Sequence, residues 1–105
     1  MKKICLLVCC SLLVVGCGEF SLSGEQQTAV ARAKRLFKDQ ITAGADMSSG
    51  RCLSEDLMPG WVVDVVHNPR QEEDDLPENQ CQSYLNGTAK HFVELDELGN
   101  LVRAK

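Results

Sequence analysis

Apolar residues recur at spacings of three and four between residues 25 and 43, and this period predicts an amphipathic helix. Ser23 precedes the pattern and Gln26 follows Ser23 by three positions, which is the spacing of a capping box. Gly44 stands just past the end, where glycine commonly terminates a helix because it accepts the left-handed conformation. The predicted apolar stripe comprises Ala29, Val30, Ala33, Leu36, Phe37, Gln40 and Ile41.

Basic side chains lie off this stripe, on the opposite face of the predicted helix. They are Arg32, Arg35 and Lys38. The pattern favours a solvated surface. The alternative is a contact with anionic lipid headgroups, because each Lys or Arg near a charged leaflet contributes about 1 kcal/mol of attraction.

The segment from Trp61 to His67 is the clearest predicted strand, since it contains a tryptophan and four valines. Both of its faces are largely apolar, which favours a central strand packed on the helix. Asp64 interrupts that pattern and therefore needs either a polar partner or an exit to solvent. We expect Trp61 to lie in the core rather than to serve as an exposed anchor for a partner.

Two further strands are predicted from Lys90 to Asp96 and from Leu101 to Arg103, joined as a hairpin through residues 97–100. Alternation places Val93 and Leu95 on one face of this hairpin. The other face carries Phe92, Glu94 and Asp96, so we expect it to be polar and outward. Residues 51–60 suggest irregular structure, with Pro59-Gly60 as a turn.

These elements predict an α+β fold, with an N-terminal amphipathic helix packed on a small antiparallel sheet of about three strands. Residues 71–82 are acidic, contain proline and have few apolar side chains. We therefore expect this segment to form a surface loop.

The first 16 residues have a different character from the rest of the chain. Lys2 and Lys3 precede an apolar run from Ile4 to Val15. About 12 apolar residues suit the hydrophobic region of an export signal and are too few for the roughly 20 that cross a bilayer as a helix. The run is thus too short for the first alternative, an N-terminal transmembrane helix. The second alternative, an ordinary secretory signal, would favour an Ala-x-Ala-like cleavage site, and this site is missing here.

The motif Val14-Val15-Gly16-Cys17 resembles the lipobox of bacterial lipoproteins. The resemblance covers about the first 17 residues. It implies that the Cys17 thiol receives a diacylglyceryl group, that the signal is cut off after Gly16, and that the freed amine is then acylated, for example with palmitate. Residues 1–16 would be the signal peptide, residues 17–23 a lipidated tether and residues 24–105 the domain. Gly18, in place of an aspartate, favours the outer over the inner membrane if the organism has both.

Six cysteines reduce to two in the expected mature protein. Three leave with the signal and Cys17 carries lipid, so Cys52 and Cys81 remain. In an oxidising compartment these two are expected to form a disulfide. A zinc or redox site is the alternative, but neither cysteine belongs to a C-x-x-C pair.

Charge excludes one class of function. Removal of the signal takes Lys2 and Lys3 from the 11 basic residues and leaves all 15 acidic ones, so the formal net charge falls from −4 to −6. This balance argues against nucleic acid as a partner. The 89 remaining residues are enough for one domain with a marginal core, which makes the disulfide important.

Few residues suggest catalysis, and we expect no cofactor. His67 ends one predicted strand and His91 begins another, so the two histidines could meet in a sheet and bind a metal with Asp64 or Glu94. Two surface histidines at strand ends are the favoured alternative.

The acidic run at residues 72–75 suggests a calcium site, but it lacks the alternating ligands and the central glycine of a calcium loop. A solvated loop, or one that attracts a basic partner, fits the run better.

Three functional hypotheses follow. The first is a membrane-anchored envelope lipoprotein that acts as a non-catalytic interaction or structural module. It would be held by membrane lipid through the acylated Cys17, with an envelope protein as a partner. The second is an inhibitor or binding module for an exported hydrolase that uses the Cys52–Cys81 segment. The third is a small metal-dependent enzyme built on His67 and His91. The sequence gives no indication of the oligomeric state.

Overall fold

A computed structural model describes residues 22–105 of the chain. Its elements are helix α1 (Gly24–Thr42), strands β1 (Arg51–Met58) and β2 (Trp61–Val65), the short helix α2 (Gln82–Leu85), and strands β3 (His91–Leu95) and β4 (Leu101–Ala104). Residues 66–90, which connect β2 to β3 and include α2, are called the crossover segment below. The predicted signal peptide, the lipobox and Cys17 lie outside the described residues.

Helix α1 begins and ends as its sequence predicts. The Ser23 hydroxyl accepts a hydrogen bond from the Gln26 amide at 3.1 Å, and the Gln26 side chain accepts one from the Ser23 amide at 2.8 Å. Gly44 follows the last turn with a φ of 96°. Ala29, Ala33 and Phe37 are the buried residues of the stripe, so the capping box and the amphipathic pattern are confirmed.

The four strands form one sheet in the order β1-β2-β3-β4. The outer pairs are antiparallel, whereas β2 and β3 are parallel. The α+β class is therefore confirmed, but the expected antiparallel sheet of about three strands is wrong. The helix is also not N-terminal in the chain, because it begins only at Gly24.

The sequence pattern did not predict strand β1. It occupies residues 51–58, where irregular structure was expected. It lies at the edge of the sheet, and its pairing with β2 shifts register twice, between Cys52 and Ser54 and again between Ser54 and Met58. An edge strand with such irregularities keeps no simple alternation of polar and apolar residues, which explains the error.

The sheet is covered on both faces. On one face, α1 packs against Trp61, Val63 and Val65 of β2 and against Val93 and Leu95 of β3, all of which are at most 2% exposed. Trp61 is thus a core residue, as expected, and its indole donates a hydrogen bond to Glu25 in the first turn of α1.

The crossover segment covers the other face. Here Val62 and Phe92 form a second buried cluster with Cys81 and Ala89. The face that carries Phe92 and Glu94 was expected to be polar and outward, and this expectation is wrong: Phe92 is 8% exposed and Glu94 is 6% exposed. The reason is the parallel pairing of β2 and β3, because a parallel connection has to cross one face of the sheet.

The crossover segment is fastened to β1. Cys52 and Cys81 form the predicted disulfide, which closes a loop of about 30 residues. On the chain-entropy model a loop of this length stabilises the fold by roughly 3–4 kcal/mol. Beside it, the Glu55 carboxylate accepts hydrogen bonds from the amides of Gln82 and Ser83 at 3.0 and 2.9 Å, so β1 also holds the start of α2.

Two glycines with the same backbone conformation give a test of the packing. Gly99, in the β3–β4 turn, has a φ of 88°, and an added Cβ would lie 2.9 Å from two ring carbons of Phe37. Gly87 has a φ of 84° with nothing within 4 Å of such a Cβ. Gly87→Ala should lower the free energy of unfolding by about 1–2 kcal/mol through backbone strain. Gly99→Ala should lower it by about 1–3 kcal/mol more, because Phe37 is buried. Urea denaturation measures both, and equal losses would contradict the close contact with Phe37.

Candidate functional site

A buried ion pair just after β2 joins two parts of the crossover segment where the chain leaves the sheet. Asp74 is 1% exposed and accepts hydrogen bonds from the amides of His67 and Gln71, at 3.0 and 2.9 Å. Its other oxygen lies 3.0 Å from Nδ1 of His67. On the far side of the imidazole, Nε2 lies 2.8 Å from the Ser48 carbonyl. The imidazole of His67 thus joins the carboxylate of Asp74 to the backbone of the loop between α1 and β1.

The surroundings of this ring favour its charged form. The hydrogen bond with the Ser48 carbonyl raises the pKa of His67, burial opposes the rise, and Asp74 adds to it. Glu73 and Glu97 each place a carboxylate oxygen 3.5 Å from Nε2. Burial alone would raise the pKa of Asp74, but the hydrogen bonds from Gln71 and His67 lower it below its ordinary value. Because both ring nitrogens face acceptors, His67 serves to hold the structure together.

A pocket opens on the face of the sheet that the crossover segment covers. Its cavity volume is about 160 Å³, comparable to cavities that hold a benzene-sized molecule. Strands β2, β3 and β4 provide its floor, and the crossover segment provides its remaining wall. We call it the crossover pocket; it is lined by Val62, Asp64, Arg70, Gln80, Cys81, Tyr84, Phe92, Glu94 and Arg103.

Glu94 is the charged centre of the crossover pocket. It is almost fully buried, and each of its two oxygens meets a guanidinium group. Arg70 lies 3.2 Å from Oε2 and Arg103 lies 3.3 Å from Oε1. Arg70 also binds Asp75 at 3.0 Å, so it links the sheet to the acidic segment. Pairing with two cations compensates the cost of burying this carboxylate.

Asp64 is the uncompensated group in the crossover pocket. It is the register partner of Glu94 on the adjacent parallel strand. Burial, and next to it the charge of Glu94, raise the pKa of Asp64 to about 7, although Arg70 acts in the opposite direction. Its Oδ1 is buried and has no hydrogen-bond partner within residues 22–105. The sequence pattern asked for a partner or an exit to solvent, and this oxygen has neither.

The structure does not bring the two histidines together. His91 begins β3 and is the register partner of Trp61 at the start of β2, whereas His67 follows the end of β2. In a parallel pair these positions lie at opposite ends, about 20 Å apart over six residues. The ring of His91 stacks on Trp61 with 4.8 Å between centroids. A metal site shared by His67 and His91 is therefore ruled out by the strand direction.

The acidic run is also used within the fold. Asp74 is the buried member of the pair with His67, and Asp75 binds Arg70. Over the described part of the chain, the potential metal ligands that lie within 4.8 Å of one another are Cys52, Glu55 and Cys81. The two sulfurs of that group are bonded to each other and are not thiolates, so the group is not a ligand set.

The roles of Arg70 and Arg103 escaped the sequence analysis. The sequence feature that could have indicated them is Asp64 in an apolar strand together with Glu94 at an equivalent place in a later strand, because two buried carboxylates need positive partners.

Comparisons with protein-family models, with characterised proteins and with solved structures gave no significant match. Between residues 22 and 105, none of the helices has both the length and the apolar character needed to cross a bilayer. The fold and the pocket thus define the class: an α+β domain with a small, partly charged pocket.

Neighbouring aspartates test the ion pair. Asp74→Ala should lower the free energy of unfolding by about 3 kcal/mol, because it leaves the buried amide of His67, the partly buried amide of Gln71 and the imidazole of His67 without their acceptor. Asp75→Ala removes one exposed ion pair with Arg70 and should cost less than about 1 kcal/mol. Urea denaturation measures the two losses. A smaller loss for Asp74→Ala than for Asp75→Ala would contradict the structural role of the pair.

Asp64→Asn should change how stability depends on pH. The pKa of Asp64 in the folded protein is about 7 against an ordinary 3.8, so the folded state holds this proton more tightly than the unfolded state. The stability that this group contributes is fully present below about pH 4 and is lost as the pH rises through about 7. Above that pH the variant should be more stable than the wild type, since each pKa unit corresponds to about 1.4 kcal/mol.

Urea denaturation at about pH 4 and about pH 8 measures this difference. Asp39→Asn, on the exposed surface of α1, is the control for the removal of one carboxylate. Parallel pH profiles for the wild type and Asp64→Asn would show that Asp64 is ionised over the whole range.

Proposed function

We propose that this chain is the precursor of a lipid-anchored envelope lipoprotein and that its domain, residues 24–105, is a non-catalytic binding module. The crossover pocket is the observation that carries the binding function. It offers a buried carboxyl oxygen, guanidinium groups and aromatic rings, which recognise a ligand by hydrogen bonds, charge and apolar contact. His67 and Asp74 resemble a catalytic dyad, but Asp74 and the Ser48 carbonyl engage both ring nitrogens of His67 within the domain.

The anchor is supported by the residues before the domain. A basic start, a short apolar run and Val14-Val15-Gly16-Cys17 precede a helix that begins at Gly24. The six residues between Cys17 and Gly24 reach at most about 20 Å when extended. Two lipid chains already give stable anchoring. The domain would therefore work close to the lipid surface, on the outer membrane if the organism has two.

The exposed side of α1 is compatible with that position. Arg32, Arg35 and Lys38 are exposed on α1, away from the sheet. Next to an anionic leaflet each would add about 1 kcal/mol of attraction. The helix would then lie against the headgroups.

An inhibitor of an exported hydrolase is the weaker alternative. It would use the segment between Cys52 and Cys81 as a constrained contact loop. Leu76 favours it, because this side chain is 44% exposed between two short 3-10 turns. Asp74 and Asp75 weigh against it, since both are engaged within the domain instead of facing a partner.

Cys17→Ser tests the anchor. In the full precursor, this change should abolish incorporation of labelled palmitate and leave the signal uncut. The wild-type protein should carry lipid and begin at Cys17, as read by mass spectrometry of the N-terminal peptide. Cys10→Ser is the matched control, because Cys10 lies in the apolar run and should be dispensable. Normal processing of Cys17→Ser, or an unmodified start elsewhere, would overturn the proposal.

A further inference from the structure

Strand register aligns the polar groups of the crossover pocket in one row. Asp64 of β2 is paired with Glu94 of β3, and Glu94 is paired with Arg103 of β4. Cys52 of β1 completes the row beside Asp64. Residues paired across a sheet project to the same face, and neighbouring strands lie about 4.8 Å apart. Asp64 and Arg103 therefore stand on either side of Glu94, about 10 Å apart at the backbone.

The two side chains that flank Glu94 in this row have opposite charges, and each can still bind a ligand. Asp64 lines the pocket and keeps one oxygen without a hydrogen bond inside the described domain. Rotation of an aspartate carboxyl about χ2 is easy, so either oxygen can meet a ligand. Arg103 contacts Glu94 through Nε, and its side chain is 57% exposed. The terminal nitrogens of this guanidinium can still receive an anion in the bidentate manner typical of arginine.

An apolar wall stands next to this row. Phe92 and Tyr84 meet edge to face with 5.2 Å between ring centroids. The guanidinium of Arg103 lies 5.0 Å from the centroid of Phe92, which holds it at the edge of the pocket. The pocket thus presents an acceptor, an anion-binding group and a small apolar surface within one cavity of about 160 Å³.

We propose that the crossover pocket binds a small zwitterion, with its primary ammonium at Asp64 and its anionic group at Arg103. A primary ammonium has three donors and can satisfy the unpaired carboxyl oxygen. The cavity limits the rest of the ligand to a few carbon atoms. This inference rests on the proposed binding function and does not depend on the lipid anchor.

Two sources share this chemistry. One is a free α-amino acid with a small apolar side chain. The other is the phosphoethanolamine headgroup of a membrane lipid. L-Valine and O-phosphoethanolamine are the corresponding soluble probes, and isobutylamine and isovalerate supply the amine and the carboxylate of valine separately.

Binding to the full chain in mild detergent can be measured by calorimetry and by NMR shifts of the Val62–Val65 amides. The probes are added up to about 10 mM, because fragment-sized ligands bind with weak dissociation constants in this range. We expect at least one zwitterion to bind roughly tenfold or more tightly than either half of valine, because each half leaves one charged contact unmade. Preference for valine assigns the site to a free amino acid, and preference for phosphoethanolamine assigns it to a headgroup.

Two substitutions locate the contacts. Asp64→Asn keeps the shape of the side chain and should weaken zwitterion binding by roughly tenfold or more. Arg103→Gln alters an exposed side chain and should remove the advantage of valine over isobutylamine. Asp39→Asn and Arg35→Gln are the matched controls, since both lie on exposed parts of α1, across the sheet from the pocket, and should leave binding unchanged.

The pH dependence gives a readout that a folding defect would not mimic. Asp64 has to be ionised to bind an ammonium group, so affinity should fall as the pH drops below about 7. The pKa of Asp64 also depends on the charges of Glu94, Arg70 and Asp74. Arg103 is a further charged group that lines the same pocket. The comparison with Asp64→Asn isolates the contribution of Asp64, because affinity in that variant should no longer follow this titration.

Three results would overturn the proposal: no zwitterion binding in this range, equal binding of isobutylamine alone, or unchanged binding by Asp64→Asn. If Cys17→Ser abolishes lipidation as expected, any of these results rejects the zwitterion site and leaves the proposal of a lipid anchor standing. If instead the zwitterion binds and the anchor fails, the pocket assignment stands by itself.

Discussion

The parallel pairing of β2 with β3 governs the rest of this structure, because it forces residues 66–90 across one face of the sheet. This crossover segment contains only one short α-helix and few buried apolar side chains. Hydrophobic burial alone is a weak means of holding such a segment. Its attachment therefore depends on specific links: the disulfide to Cys52, the carboxylate of Glu55 at the start of α2, the contact of His67 with the Ser48 carbonyl, and the ion pair of Arg70 with Glu94.

The same constraint creates the crossover pocket. A polar side chain on an uncovered sheet face would be hydrated, and its charge would need no partner. Once the crossover segment covers that face, Asp64 and Glu94 are withdrawn from water together. Two arginines compensate Glu94, whereas Asp64 retains an oxygen without a partner in the described domain. An unsatisfied buried acceptor costs about 1–3 kcal/mol, and the proposed ligand would supply the hydrogen-bond donor that this oxygen lacks.

Local features of the sequence predicted the local structure well. The capping box at Ser23, the glycine after α1, the valine-rich β2 and the β3–β4 hairpin all depend on neighbouring residues. The disulfide was predictable because the expected processing leaves only two cysteines. These features need no knowledge of how distant segments meet.

What the sequence did not reveal depends on long-range arrangement. The direction of β3 relative to β2 is not encoded in the alternation of either strand, since both directions give the same faces. An antiparallel sheet would have allowed His67 and His91 to be neighbours and led us to expect Glu94 on an outward face, and the parallel pairing reverses both expectations. The partners of Glu94 were hidden for the same reason, because Arg70 approaches through the crossover segment and Arg103 through β4.

The two covered faces also relate the proposed anchor to the proposed ligand. Helix α1 lies on one face of the sheet and the crossover pocket on the other. If the basic side of α1 rests on lipid headgroups, the sheet stands between the bilayer and the pocket. The pocket would then open away from its own membrane, toward the surrounding compartment. This geometry favours a dissolved amino acid over a headgroup of the same leaflet, because a headgroup would have to leave the bilayer plane and pass around the sheet to reach Asp64.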